Sequence, residues 1–189
     1  MSNTIIALVS SAKGFRAFGT ASFASEDIVW NPVTSCTVSF TTITSTADFG
    51  NSNGASSKRI DNSGAAQRGV FSIKTGNVSS YGSTGLFSDN AGRVPSIYQS
   101  WYGFMLHNDN TVTLRDKDTS LAPFFTFNRA TDTLKLELWA DSVRFFVNTT
   151  EIYRSTLPAA DLFYYGGVLM TNSGESWMDG KIGGVLSPH

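Results

Sequence analysis

The sequence predicts an all-β protein, an antiparallel sandwich of two sheets, and three observations carry that prediction. The first is what replaces charge. Of 189 residues, 25 are Ser, 20 Thr and 12 Asn, whereas charged residues reach only 15% and Glu occurs four times, at Glu26, Glu137, Glu151 and Glu175. Helical bundles draw instead on Ala, Glu, Lys and Leu. The second is an aromatic content of 13% within a hydrophobic fraction of 41%, which supplies a core that disordered chains lack. The third is apolar alternation with a period of two, broken at short intervals by turn residues. A chain of this length buries enough surface in one core to need no covalent staples, so residues 1–189 are expected to form a single domain.

Taken in order, residues 1–12 hold the apolar run Ile5-Ile6-Ala7-Leu8-Val9, expected to be an N-terminal strand or arm. It has no basic flank and is too short for a secretory signal or a membrane span. Residues 37–42 alternate, with Val38 and Phe40 predicted to share one face. Cys36 extends that alternation as a small buried hydrophobe and, being the single cysteine, has no intrachain disulfide partner. Residues 48–67 are rich in Gly, Ser, Asn and Ala without apolar periodicity and read as a long surface loop.

The alternation returns at residues 70–75, with Phe71 and Ile73 on one face. A hairpin follows at residues 99–115: Trp101 and Met105 face one way, Tyr102, Phe104 and Leu106 the other, and His107-Asn108-Asp109-Asn110 make the turn. Because that strand is apolar on both faces, something is expected to cover each. Leu134, Leu136 and Leu138 alternate with Lys135, Glu137 and Trp139; Ala140-Asp141-Ser142 turns the chain into Val143 to Val147, and Asn148-Thr149-Thr150 turns it again. That is an antiparallel meander. The two sequons, Asn77-Val78-Ser79 and Asn148-Thr149-Thr150, read as turns.

The meander, continued through Glu151-Ile152-Tyr153-Arg154, resembles the late hairpin of concanavalin A-like lectin/glucanase jelly rolls. So does Phe163-Tyr164-Tyr165-Gly166-Gly167-Val168-Leu169-Met170, where an aromatic run leads into glycine and then into the polar loop Thr171-Asn172-Ser173-Gly174. Tyr98 to Thr113 is similar to the paired strands of such folds, in which a segment like Tyr102-Gly103-Phe104 crosses the core. The resemblance covers about the second half of the chain and implies a jelly-roll sandwich, a fold shared by lectins, glycosidases, adhesins and virion proteins.

Catalytic chemistry does not stand out. Glycosidases of this fold carry Glu-x-Asp-x-x-Glu, because one carboxylate activates an attacking group and another protonates the leaving oxygen, and the chain lacks that triplet. Glu175 and Asp179 form a close acidic pair and read as a solvated turn. Gly50-Asn51-Ser52-Asn53-Gly54 matches a nucleophile elbow formally, yet Ala55-Ser56-Ser57-Lys58-Arg59 follows it where an apolar helix belongs. His107, His189 and Cys36 are too few for zinc. For calcium, Asp109 with Asn108 and Asn110, or Asp116 with Asp118, bring oxygens without a ligand ladder. No metal or cofactor is expected, and the chain is read as no enzyme.

Charge excludes another class. With 14 Lys+Arg against 15 Asp+Glu the net charge is −1, and the basic cluster Lys58, Arg59 and Arg68 is too small to follow a phosphate backbone. Neither nucleic-acid binding nor membrane insertion is expected. The expected role is that of a structural or interaction protein on the surface of a larger assembly. The most specific form is a phage or virus decoration or fibre component, made in the host cytoplasm without a signal peptide, located on the virion, and associating with other subunits as a homo-oligomer, by preference a trimer. The alternative is a lectin-like module for a cell-surface glycan. Its candidate contacts are Tyr81, Trp101, Tyr102, Asn108, Asp109, Asn110 and Trp177, since aromatic faces stack on sugar rings and neutral amides match hydroxyls at low desolvation cost.

Overall fold

The computed structural model describes residues 24–47, 52–63, 66–77, 81–88, 102–117, 119–155 and 161–189. The strands are β1 (Ser25–Asp27), β2 (Trp30–Thr34), β3 (Cys36–Ser39), β4 (Thr42–Ser45), β5 (Ser52–Asp61), β6 (Gln67–Thr75), β7 (Gly82–Ser88) and β8 (Tyr102–Leu106). They continue as β9 (Thr111–Asp116), β10 (Thr119–Thr126), β11 (Thr133–Trp139), β12 (Val143–Val147), β13 (Thr150–Arg154), β14 (Phe163–Met170), β15 (Ser176–Gly184) and β16 (Leu186–Pro188). One sheet runs β13-β12-β11-β6-β15-β4-β3, with β1 beside β15. The other runs β10-β9-β8-β7-β14-β5-β16, with β2 beside β5. Every pairing among the described residues is antiparallel.

The alternation predicts the core faithfully where one face of a strand meets solvent. Leu134, Leu136 and Leu138 of β11 and Phe71 and Ile73 of β6 are fully buried, and register places Leu134 beside Ile73 and Leu136 beside Phe71. From the opposing sheet come Leu86, Tyr102, Phe104, Leu106, Tyr164, Val168 and Met170. The Phe104 and Phe145 rings meet edge to face at 5.7 Å across the sandwich. Burying each such side chain contributes about 1.5–3 kcal/mol, so this slab holds the two sheets together. At its edge the Asp116 carboxylate accepts from Tyr153 Oη at 2.9 Å and Ser155 Oγ at 3.0 Å, a polar tie between sheets.

Two sequence expectations are overturned here. Within the 48–67 stretch expected as a surface loop, residues 52–61 are instead β5, a ten-residue strand between β14 and the β2/β16 edge. Its first five residues, Ser52 to Ser56, are buried, so both faces lie against protein and no alternation remains to detect. Small side chains are required instead; a Cβ on Gly54 would stand 2.0 Å from Ile43 Cδ1. Nor are residues 37–42 one strand. Phe40 and Thr41 form the turn between β3 and β4, Phe40 adopts φ 51° and is 96% exposed, and Val38 is also exposed. The core residue of that hairpin is Ile43. Cys36 is half-buried against the core, and burial pushes its thiol up to about 11, so it behaves as an inert packing residue. Residues 1–12 lie outside the described residues.

The turns follow the sequence. Asn110 and Asn148 take left-handed backbone at φ 62° and 56°, where Asn is tolerated better than branched residues. Asn148 accepts from Thr133 N–H at 3.0 Å and donates to Asp132 Oδ1 at 2.9 Å, bracing the β12–β13 turn. The basic cluster is dispersed into local contacts: Lys58 pairs with Glu26 at 2.6 Å, Arg59 donates to Ser187 Oγ at 3.1 Å and Arg68 to Asn62 Oδ1 at 3.3 Å. No helix among the described residues is long and apolar enough to cross a membrane.

Candidate functional site at the loop end of the sandwich

Four of the seven sequence candidates come together at one end of the second sheet. The β8–β9 hairpin is closed by His107-Asn108-Asp109-Asn110, and residues 108–110 are exposed. Asp109 Oδ1 accepts from Thr111 N–H at 3.0 Å and Thr111 Oγ1 at 2.6 Å. Those two donors, side chain first, hold its carboxyl below the usual carboxylate range. Tyr81, entering β7, is 48% exposed and meets the His107 ring edge to face at 5.8 Å. A half-open aromatic ring therefore stands beside an exposed amide-carboxylate turn.

Residues that the sequence did not single out lock this arrangement. Arg129, in the turn before β11, donates through Nε to Asn110 Oδ1 at 2.8 Å and through Nη2 to the His107 carbonyl. Its own carbonyl accepts from Thr75 Oγ1. Burial lowers the Arg129 pKa, while Glu175 and Asp109 act against that shift. Thr171 Oγ1 donates to the Tyr81 carbonyl at 2.8 Å, which ties the β14–β15 loop to the same rim. Arg129 had no local signature, because its partners are 19 and 22 positions away in the chain.

Glu175 is not a solvated turn residue. It is 2% exposed, and its carboxylate accepts from Thr171 N–H at 3.0 Å, Asn172 N–H at 3.1 Å and Asn172 Nδ2 at 3.3 Å. The loop folds around the carboxylate as around a built-in anion. Asp179, at φ 53° beside the β15 register shift, is exposed and pairs with Lys74 at 3.0 Å.

Tyr102 and Trp177 are removed from the candidate set, because both are fully buried in the core between the sheets. Trp177 Nε1 donates to the Leu169 carbonyl at 3.4 Å, and burial pushes the Tyr102 hydroxyl well above its usual pKa. Neither ring has a face left for a ligand. Their exposure could not be read from period two, since β8 and the start of β15 are buried on both faces. Trp101 lies outside the described residues.

Below the rim, one cross-strand row on the outward face of the second sheet reads Thr113, Met105, Ser83, Leu169, Asn53. His107 Nε2 lies 2.7 Å from Thr113 Oγ1 and joins the row to the rim. Ser83 Oγ and Asn53 Oδ1 are buried without a hydrogen-bond partner. The row is largely buried, with Met105 and Leu169 between the polar residues, so the surface open to a ligand is the rim formed by Tyr81 and residues 108–110. Among the described residues no group of three or more His, Cys, Asp or Glu stands ready for a metal.

No protein-family model matches the chain, and no curated protein sequence matches it. Solved structures do. The SPRY domain of human HERC1 is similar with a TM-score of 0.55 at 17% identity, covering 79% of this chain and 92% of that one. The exoplasmic/lumenal domain of VIP36 in its Ca2+/Man3GlcNAc-bound form is similar with a TM-score of 0.56 at 11% identity, covering 85% of each chain. The carbohydrate binding module CBM66 from Bacillus subtilis is similar with a TM-score of 0.51 at 12% identity, covering 82% of this chain and 94% of that one. The chain has the concanavalin A-like jelly-roll fold. These likenesses establish architecture, and chemistry has to be argued from the loop end itself.

Proposed function

We propose that the protein is a non-catalytic recognition module that binds a neutral glycan at the loop end of the second sheet. The observation that carries the proposal is the convergence of the half-exposed Tyr81 ring, packed on His107, with the exposed Asn108-Asp109-Asn110 turn. Sugar rings present apolar C–H faces and a rim of uncharged hydroxyls. An aromatic surface matches the first, and amides and carboxylates match the second. Two structures of this fold, the glycan-bound VIP36 domain and CBM66, make the reading economical.

A glycan array probed with the full chain tests the proposal. Signal on neutral oligosaccharides that is lost in Tyr81→Ala and Asn108→Ala, with circular dichroism unchanged, supports it. A blank array with the wild type removes it.

A second reading, membership of a larger particle such as a virion, has its own observation. Among the described residues β3 is an edge strand that exposes Thr37, Val38 and Ser39 without a charge or proline, and Phe40 projects beside it. The far edge of the same sheet, β13, carries Glu151 and Arg154 instead. Unguarded edges invite strand pairing with another chain. Light scattering should then find an oligomer that Val38→Lys disperses; a wild-type monomer that co-purifies with no particle ends this reading.

A further inference from the structure

The outer face of the first sheet carries a second, separate site. Register places Arg144 of β12 directly opposite Arg154 of β13, and like charges facing across antiparallel strands are destabilising. Arg154 is compensated, because Glu151 accepts from its Nε at 2.8 Å and Nη2 at 2.9 Å. Arg144 is not. Its guanidinium lies 3.9 Å over the Trp139 ring, and its Nε is buried with no hydrogen-bond partner. A guanidinium does not give up its proton in a protein, so this is a charged donor held out of water without an acceptor, a costly arrangement.

The two arginines line a cavity of about 300 Å³ with Ala66, Trp139, Ala140 and Asp141, the lower end of the range for small-ligand pockets. The walls are braced. Trp139 Nε1 donates to Glu137 Oε2 at 3.1 Å, and Ala140 N–H donates to the Ala66 carbonyl at 2.7 Å.

We infer that this cavity binds a small hydroxylated carboxylate of the sugar-acid class, its carboxylate received by Arg144 and one of its hydroxyls by Asp141. The planar guanidinium fork, set by stacking on Trp139, matches a planar carboxylate with two parallel N–H···O bonds. Charge limits the ligand to a monoanion. Glu151 answers Arg154, and Asp141 stands in the same lining, so a second negative charge on the ligand meets repulsion. The small side chains of Ala66 and Ala140 leave the space that the ligand occupies. This site is independent of the loop-end reading, lying on the other sheet.

The test is an NMR titration of the full chain, following the Trp139 indole N–H, with sodium glucuronate, glucose, acetate and inorganic phosphate at constant ionic strength. Glucuronate should move the resonance saturably and glucose should not. Arg144→Lys, which keeps the charge and loses the fork, should weaken binding about tenfold or more. Arg144→Met should abolish binding with the circular dichroism unchanged. An indole resonance that ignores glucuronate overturns the proposal, as does phosphate or acetate binding as tightly as glucuronate. So does wild-type affinity in Arg144→Lys or in Arg144→Met, which would make Arg144 a structural fixture.

Discussion

Glu175 provides the sharpest test of how the loop end is built. Replacing it with Ala removes the oxygen to which the Thr171 and Asn172 backbone N–H groups donate at 3.0 and 3.1 Å. Each buried unsatisfied donor costs about 1–3 kcal/mol, so the pair amounts to about 4 kcal/mol. For a domain of this size that corresponds to a melting-point loss of roughly 10 °C. Glu175→Gln keeps one oxygen where Oε2 now accepts both amides, and the Asn172 side chain can rotate to accept from the new amide, so the expected loss is about 1 kcal/mol. Differential scanning calorimetry on the three proteins separates these values. An Ala variant melting within about 2 °C of wild type would refute the anchoring role. A Gln variant as damaged as Ala would show that charge, rather than acceptor geometry, does the holding.

Three further predictions follow from packing, backbone strain and titration. Gly166→Ala sets a Cβ 2.5 Å from Phe71 Cε2 and 2.7 Å from Cδ2 in a fully buried spot. It should cost about 1–3 kcal/mol, and Phe71→Leu in the same chain should recover part of that; strictly additive losses in denaturant melts would contradict the contact. Phe40→Gly relieves a left-handed backbone at a position 96% exposed and should stabilise the fold by about 0.5–1 kcal/mol, net of the entropy that Gly adds to the unfolded chain; a drop in urea midpoint argues against strain at that turn. Asp109 is held ionised by Thr111, so its stabilisation is complete above the unfolded carboxyl pKa of about 3.9 and is lost as pH falls through the lower folded value. Carboxyl NMR should place its midpoint below that of Asp109 in a Thr111→Val variant, and coincident midpoints would remove the hydrogen-bond explanation.

What was legible in the sequence is what one-sided burial writes into it. β6, β11 and β12 each face core on one side and a wetter surface on the other, so Phe71, Ile73, Leu134, Leu136, Leu138, Val143 and Phe145 announce themselves by period two. Asn110 and Asn148 mark their turns because Asn tolerates positive φ. From these the fold class and the meander follow. Where both faces of a strand are covered, the code disappears. β5 looks like a loop because close packing against Ile43 admits only small residues at Gly54 and its neighbours. Trp177 and Tyr102 look like sugar platforms because an aromatic ring is equally at home in a core.

Tyr81, Asn108, Asp109 and Asn110 could be named from residue type, but their meeting with Arg129, Thr171 and Glu175 depends on hairpins far apart in the chain arriving at one end of the sandwich. The Arg144–Arg154 pairing likewise comes from strand register. Short-range periodicity records which way each side chain points; which distant groups share a site is set by sheet order and loop closure, and that long-range information belongs to the folded chain.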